Sequence, residues 1–367
     1  MDNISPVQLI TICAISNGFV FSILLLQKGE NRYANRFLSL MIVCMCLTFT
    51  PYMLNPEVWH TYRWLAWLPF SLSYWVGPAF YFYIRTITDP SRSFTRKDLW
   101  HFSPIVLNYI HSIYHGVLGR SNPWPWFHHI AEIFESVAIL SILIYMMLSF
   151  QRIKDYQKTL QNNVSNTEKL NLQWAKHIIW VTVASFLMIL IFLLVSTGIS
   201  GMELFEQWNT YRFTVLLIYA CVLYWLSIHG YQQAQTLKVL IPIPKVVSLE
   251  ESESKAIVKK LQSVMTEEKL YRNPELDLTT LSRATNISER LLSETLNNVL
   301  HKNFYQFVNE YRVTEIQEKL QDPKNANLKI LSLALDSGFN SKATFNRFFK
   351  QHTGLTPQQF KSQHTVK

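Results

Sequence analysis

Residues 330–357, ILSLALDSGFNSKATFNRFFKQHTGLTP, have the pattern of two short helices joined by a tight turn. Ile330 and Leu333 begin the first helix, Gly338 lies at the turn, and Ser341 begins the second helix. Glycine adopts a positive φ at little cost, and a serine hydroxyl accepts a backbone N–H at a helix N-terminus. The pattern therefore predicts a helix-turn-helix unit.

The same pattern occurs a second time, at residues 278–299. Two leucines begin the first helix there, Asn286 lies at the turn and Ser288 begins the second helix. The later unit, at 330–351, contains one extra residue in its turn, Asn340. In both units apolar residues follow the serine at four-residue spacing, so they share one face of the helix. The opposite face is left free for a DNA major groove.

A third amphipathic helix is predicted between the two units by the apolar residues from Phe304 to Leu320. A rigid helix at this place would fix the distance between the two recognition helices. The chain then ends in a basic stretch, because residues 342–367 contain lysine and arginine but no acidic residue. Two such units with a basic tail predict DNA binding, and a helical protein-binding module is the alternative.

Several runs in this part of the chain resemble one family of proteins. LALDSGF (333–339), FNRFFK (345–350), TGLTP (353–357) and NEYRV (309–313) are similar to the DNA-binding domain of the AraC/XylS family of bacterial transcription regulators. The resemblance extends from about residue 260 to residue 363. It implies two recognition helices that contact bases in successive segments of the major groove. The N-terminal part resembles, more loosely, the membrane region of multi-pass members of this family.

The resemblance also implies which residues contact DNA. In the second unit they are Lys342, Ala343, Thr344, Asn346 and Arg347. In the first unit they are Glu289, Arg290, Ser293 and Glu294. Arginine is a bidentate partner for guanine, and asparagine for adenine. Family members often have arginine where this chain has Glu294, and a carboxylate repels phosphates although it accepts from cytosine; base contact by the first unit is therefore left open.

The N-terminal part has the composition of a membrane protein, and all eleven tryptophans lie at or before Trp225. Seven apolar segments are long enough to span a bilayer: 5–26, 37–54, 64–84, 99–118, 130–150, 178–197 and 211–230. The loops after the first, third and fifth segments contain three, four and five lysines or arginines, whereas the opposite loops contain only Arg63 and Arg120. This asymmetry predicts seven spans in the bacterial cytoplasmic membrane, with the N-terminus outside and the C-terminal domain in the cytoplasm.

The predicted fold is all-α and has three parts. Residues 1–231 form a seven-span membrane sensor domain, residues 232–255 a linker, and residues 256–367 the DNA-binding domain. Residues 249–270 have the pattern of an amphipathic helix. We expect its apolar face to pack either against the DNA-binding domain or against a second copy in a homodimer.

A candidate sensing site lies near the outer ends of the fourth and fifth spans. It consists of His111, His115, His128, Glu132 and Glu135. Ionisable residues at membrane depth are costly and therefore candidates for function, and these residues could bind a ligand, a metal or a proton. Alternatively, they hydrogen-bond to headgroups and neighbouring helices. The four cysteines lack zinc-site spacing, so we predict no metal and no cofactor.

The chain contains no phosphate-binding loop, nucleophile elbow, zinc-protease motif or kinase signature, so we do not expect an enzyme. The sequence predicts a membrane-bound one-component transcription regulator whose partners are double-stranded DNA, the lipid bilayer and an unidentified signal ligand. The alternative is a seven-helix receptor or transporter whose cytoplasmic helical tail binds a protein.

Overall fold

The structure is a computed structural model. It describes residues 6–29, 31–50, 61–62, 65, 72–106, 109–110, 126–168, 170–196, 201–233 and 251–364. These residues are helical apart from loops, turns and an isolated antiparallel bridge between Val164 and Asp277, which confirms the all-helical fold class. The chain divides into two compact units, one of Met1–Lys154 with Leu172–Val239 and the other of Asp155–Asn171 with Leu240–Lys367.

Six long helices account for most of the described part of the first unit. They are α1 (Pro6–Gln27), α2 (Arg32–Phe49), α3 (Ser73–Thr88), α4 (Trp126–Asn163), α5 (Gln173–Ser196) and α6 (Gly201–Gln233). A short 3-10 helix, Arg96–Phe102, follows α3. Helix α1 packs against both α2 and α6, α2 packs against α3, and α5 packs against α6. The last residues of α4, from Asp155 onward, belong to the second unit.

Glycines allow close packing of these helices. A Cβ added at Gly18 of α1 would lie 2.5 Å from Cys46 Sγ, and one at Gly230 of α6 would lie 2.5 Å from Leu38 Cδ2. Both contacts are with α2. Gly77 of α3 has the same role toward α4, because its Cβ would lie 3.1 Å from the Cα of Ile142. Small residues let helix backbones approach each other closely.

Many apolar side chains of the first unit are exposed. They include Leu9, Ile10, Val20 and Ile23 in α1, Leu140, Ile144 and Met147 in α4, and Leu187, Leu190 and Ile191 in α5. Among the described residues three helical stretches are long and apolar enough to cross a membrane, namely Gln8–Gln27, Ser136–Asn163 and Thr214–Gln233. The predicted count of seven is not confirmed. Half of the predicted span at 99–118, and part of those at 37–54 and 64–84, lies outside the described residues.

Seven helices form most of the second unit. They are α7 (Glu251–Thr266), α8 (Leu278–Thr285), α9 (Glu289–Glu294), α10 (Phe304–Gln321), α11 (Ile330–Asp336), α12 (Lys342–Thr353) and α13 (Pro357–His364). A π turn, Thr295–Val299, follows α9, and the 3-10 turns Leu270–Arg272 and Pro323–Asn325 precede α8 and α11.

Helix α10 belongs to two hydrophobic cores. Its N-terminal half contributes Phe304, Phe307 and Val308 to a core shared with α7, α8 and α9. Its C-terminal half contributes Val313 and Ile316 to a core shared with α11, α12 and α13. A single helix therefore connects the two predicted helix-turn-helix units and orients each of them through its own core.

The predicted amphipathic helix at 249–270 is observed as α7. Its apolar residues Ile257, Leu261, Val264 and Met265 are all buried in the first core. Two packing partners are expected for this face, and the one observed is the rest of the second unit.

One part of the second unit comes from a distant place in the sequence. Residues 155–171, which are the last turns of α4 and most of its connection to α5, belong to the second unit together with α7–α13. The predicted domain boundaries instead assign these residues to the membrane domain, where they form part of a basic loop.

Candidate nucleic-acid interface

The first helix-turn-helix unit consists of α8 and α9. Asp277 caps α8 by accepting a hydrogen bond from the Thr280 backbone N–H at 2.8 Å. The helix ends at Asn286, which has the left-handed conformation (φ 54°) that the sequence predicts at this turn. Ser288 then caps α9, although its hydroxyl accepts from the Leu291 N–H at the long distance of 3.4 Å.

The second unit consists of α11 and α12 and repeats this construction. Gly338 lies at the turn with a φ of 97°, and the Ser341 hydroxyl caps α12 by accepting from the Thr344 N–H at 3.2 Å. Gly354 ends α12 with a φ of 78°. The predicted positions of the turn residues and serine caps are confirmed in both units.

Gly338 is required for a second reason besides its φ. A Cβ at this position would lie 2.5 Å from the backbone oxygen of Tyr271 and 2.9 Å from that of Arg272. Both are backbone atoms that cannot rotate away as a side chain would. The turn of the second unit is therefore pressed against the segment that precedes the first unit.

The exposed face of α12 is basic. Lys342, Ala343, Asn346, Arg347 and Lys350 are exposed, whereas Phe345, Phe348 and Phe349 are buried. Arg347 donates a hydrogen bond to the Tyr305 hydroxyl of α10 at 3.4 Å. A groove of about 790 Å³ runs beside this face, and its basic lining residues are Lys329, Lys342, Arg347, Lys350 and Lys361. No acidic residue lines it among the described residues, so the groove suits a phosphate backbone.

Thr344 differs from the other residues expected to contact DNA in the second unit, because it is buried. Its side chain is 8 % exposed. The hydroxyl lies 3.4 Å from the Glu168 carboxylate, which belongs to the connection between α4 and α5.

The corresponding face of the first unit is less basic. Arg290 is exposed, Glu289 and Ser293 are half-buried, and Glu294 is buried. The Glu294 carboxylate accepts a hydrogen bond from the Asn298 side chain at 3.3 Å. Helix α9 passes into the π turn without a break, so the recognition helix of the first unit extends to Val299.

The candidate sensing site falls on residues that the structure does not describe. His111 and His115 lie outside the described residues, as do the side chains of His128, Glu132 and Glu135, whose backbone lies in α4. Among the residues that the structure does describe, no group of three or more histidine, cysteine or acidic side chains could hold a metal ion.

A polar cluster that sequence reasoning missed lies on α10. Arg312 is fully buried and donates to the backbone oxygens of Tyr271 and Asn273, to Asn309 Oδ1 and to Ser165 Oγ, at 2.7–3.1 Å. Burial lowers the pKa of Arg312 to about 10, so the guanidinium remains charged at neutral pH. The only signal in the sequence is the NEYRV run, which shows that a polar residue occurs there but does not show that it is buried.

An ion-pair network on α10 joins the two helix-turn-helix units. Glu315 is paired with Arg272, in the turn before α8, and with Lys319, whose Nζ lies at 3.3 Å. Lys319 also donates to the Ser337 hydroxyl at the end of α11, at 3.0 Å. Burial acts to raise the pKa of Glu315, but the hydrogen bond from Arg272 and the charge of Lys319 outweigh it and hold that pKa below its usual value.

The same part of the chain matches a known protein family. Residues 281–363 match the family model described as "Helix-turn-helix domain". The probable transcription factor PqrA of Proteus vulgaris is 30 % identical over 100 residues, which are 27 % of this chain and 80 % of that protein. An uncharacterized HTH-type transcriptional regulator of Staphylococcus aureus (strain COL) is 34 % identical over 92 residues, or 25 % of this chain and only 12 % of that protein. No solved structure matches the chain.

Proposed function

We propose, from the fact that this chain belongs to the AraC-type family of helix-turn-helix transcription regulators, that it regulates transcription while anchored in a membrane. The C-terminal unit is a DNA-binding module of that family. Its placement in the bacterial cytoplasmic membrane, its control by a signal and the individual DNA contacts are our proposals.

The observation that carries the DNA-binding part of the proposal is the exposed face of α12. This helix has a serine cap, a buried row of phenylalanines and an opposite face with Lys342, Asn346, Arg347 and Lys350 exposed. The N-terminal residues of a recognition helix contact base edges in the major groove. We therefore assign base contact to Asn346 and Arg347, and phosphate contact to the lysines of the groove.

The first unit supports the membrane part of the proposal. Its helices expose apolar side chains that water would not favour, and three of its helical stretches are long enough to span a bilayer. The basic loops of the sequence give the orientation, with the second unit in the cytoplasm where the DNA is.

A cavity in the first unit supports sensing within the membrane domain. It has a volume of about 490 Å³ and is lined largely by apolar residues, among them Met41, Met45, Ile142, Met146 and Val222. Cavities of this size, mostly apolar with a few polar groups, are typical of small-molecule sites. We propose that the signal is a small apolar molecule. It would change the position of the second unit, or its association with a second copy in a homodimer, and so the occupancy of promoters.

The test of DNA binding uses the full chain in lipid nanodiscs, because the second unit includes residues 155–171 from between two helices of the first unit. Random DNA is selected on the protein, and the enriched sequence is used in gel shifts at several salt concentrations. We expect affinity to fall steeply with salt, since phosphate contacts release counterions. Arg347→Ala should abolish most of the specific binding, whereas Lys260→Ala, which removes the same charge from the exposed side of α7, should have little effect.

The alternative of a receptor or transporter with a protein-binding tail predicts a different result. No DNA sequence would be enriched, and both variants would behave like the parent. Substrate uptake by the reconstituted protein, or a protein partner that binds purified nanodiscs directly, would then replace the proposed function.

A further inference from the structure

The connection between α4 and α5 is inserted into the DNA-binding unit. The first part of this connection, residues 164–168, forms a docked segment. Val164 forms an antiparallel bridge with Asp277, the residue that caps α8. Val164, Ser165 and Thr167 are each less than 10 % exposed. A loop between two apolar helices would be expected to stay in solvent, so its burial within another unit requires an explanation.

Ser165 holds the docked segment in place through four hydrogen bonds. Its backbone N–H and its hydroxyl both donate to the Leu276 backbone oxygen, at 3.1 and 2.7 Å. Its hydroxyl accepts from Arg312 at 3.1 Å, and its backbone oxygen accepts from the Asn309 side chain at 3.2 Å. The segment thus contacts both the entrance to the first helix-turn-helix unit and the shared helix α10.

The contact between Ser165 and Arg312 can break without leaving Arg312 unpaired. Besides Ser165, this buried guanidinium donates to three neutral oxygens, two of the backbone and one of the Asn309 side chain. No carboxylate is among its acceptors in the described part of the chain. If the docked segment leaves, the nitrogen that faced Ser165 keeps the Asn273 oxygen and becomes open to water. Release therefore leaves no buried charge without a partner, which would be the costly outcome.

The far end of the docked segment reaches the recognition helix of the second unit. The Glu168 carboxylate accepts from the Thr344 hydroxyl in the first turn of α12. Thr344 is covered, although the sequence predicts that it contacts DNA, and Lys342 and Arg347 are exposed on the same helix. If α12 enters a major groove as proposed, a carboxylate at this place lies near the DNA and repels its phosphates. The docked segment would then compete with a duplex for this end of α12.

We propose that the docked segment is an intramolecular inhibitor of the DNA-binding unit, which competes with DNA for the first turn of α12 and is released when the membrane helices on either side of it change. This inference rests on the proposed DNA-binding function. Chain connectivity supplies the link to sensing, because the residues before Asp155 and after Asn171 belong to the first unit.

The first test locks the docked segment with a disulfide. Residues in an antiparallel bridge have Cα atoms about 4.5–5.5 Å apart, which is within the range that a disulfide accepts. Val164→Cys and Asp277→Cys are introduced into the full chain with its four native cysteines replaced by alanine, in nanodiscs. We expect the disulfide to form without ligand, and the oxidised protein to bind the selected DNA about tenfold or more weakly than the same protein after reduction. The reduced form controls for the loss of the Asp277 cap.

The second test changes only one charge. Glu168→Gln keeps the shape of the side chain and, because the residue is exposed, should not affect folding. We expect DNA binding about two- to fivefold tighter than that of the parent, the size of an exposed charge interaction. Glu253→Gln, the same change on the exposed side of α7, is the matched control and should bind like the parent.

The outcomes separate this inference from the proposed function. Equal DNA binding by the oxidised and reduced forms would show that the docked segment is a permanent part of the unit, so the inference would be overturned while DNA binding stood. Failure of the disulfide to form, or unchanged affinity in Glu168→Gln, would also overturn it. Absence of DNA binding by the parent protein would overturn the proposed function and the inference together.

Discussion

The recognition helix of the first helix-turn-helix unit, α9, continues through its π turn to Val299, and that of the second unit, α12, has a similar length of twelve residues. Their turns are alike, with a left-handed residue and a serine cap in each. Their exposed faces differ, because α9 presents Arg290 beside acidic residues and α12 presents Lys342, Arg347 and Lys350. We infer that the turn residues and core residues specify the repeated structure, whereas the exposed residues determine how strongly each helix-turn-helix unit binds DNA.

The largest difference that we predict between the units concerns their turns. Gly338→Ala should lower the free energy of unfolding of the second unit by about 3 kcal/mol, because the new Cβ would meet two backbone oxygens and the φ is strained. Asn286→Gly, at the exposed turn of the first unit, should change it by less than about 0.5 kcal/mol. Hydrogen exchange of peptides from α11 and α12, measured by mass spectrometry, reports the opening free energy.

Gly354→Ala is the control that separates strain from crowding. Gly354 also has a positive φ, but nothing lies within 4 Å of its added Cβ. It should cost only about 1 kcal/mol. Equal costs at Gly338 and Gly354 would mean that the close approach to Tyr271 and Arg272 contributes nothing.

The second prediction compares the DNA-contacting arginines. Arg347→Ala should weaken specific DNA binding by about 1–3 kcal/mol, the contribution of a bidentate contact to a base. Arg290→Ala should weaken it by less than about 1 kcal/mol, because α9 carries acidic residues that oppose phosphate binding. Gel shifts at one salt concentration measure both. A larger effect at Arg290 would reverse the ranking of the two units.

The third prediction concerns the helix caps. Ser341→Ala should cost about 1 kcal/mol of unfolding free energy, the usual contribution of an N-cap serine. Ser288→Ala should cost less, since its bond to the backbone N–H is 3.4 Å rather than 3.2 Å long. Hydrogen exchange of peptides from α9 and α12 measures the two losses of stability separately. Equal losses would show that the length of the capping hydrogen bond has no influence here.

The smallest effect that we predict on stability concerns the ion pairs of Glu315, which join the two helix-turn-helix units. The folded-state pKa of Glu315 lies below its ordinary value of 4.5, so the unfolded chain binds the proton more tightly. The stabilisation is therefore complete above pH 4.5 and is lost as the pH falls through the folded-state pKa. Glu315→Gln should flatten the acid side of the stability profile of this unit, as followed by hydrogen exchange of peptides from α10 at several pH values. An unchanged slope would place the acid sensitivity elsewhere.

The local construction of the DNA-binding unit could be predicted from the sequence. Asn286, Gly338 and the two serines have short-range roles that their own chemistry dictates, and the spacing of apolar residues indicated α10. The burial of Glu294 could not be predicted, because it depends on how α9 packs within the folded unit. The docking of Ser165 on Arg312 joins residues 147 positions apart, and no periodicity carries information across that distance.

Because α10 anchors both cores, each copy of the chain holds two unequal recognition helices in a fixed order. A regulator that binds as a symmetric dimer of identical units selects a palindrome. The site of a single copy of this chain should instead have a direction, with a strongly specified element for α12 on one side and a weakly specified element for α9 on the other. A genome search for its operators should therefore score oriented, unequal pairs at one constant separation, and the orientation of each site will determine which element lies nearer the transcription start.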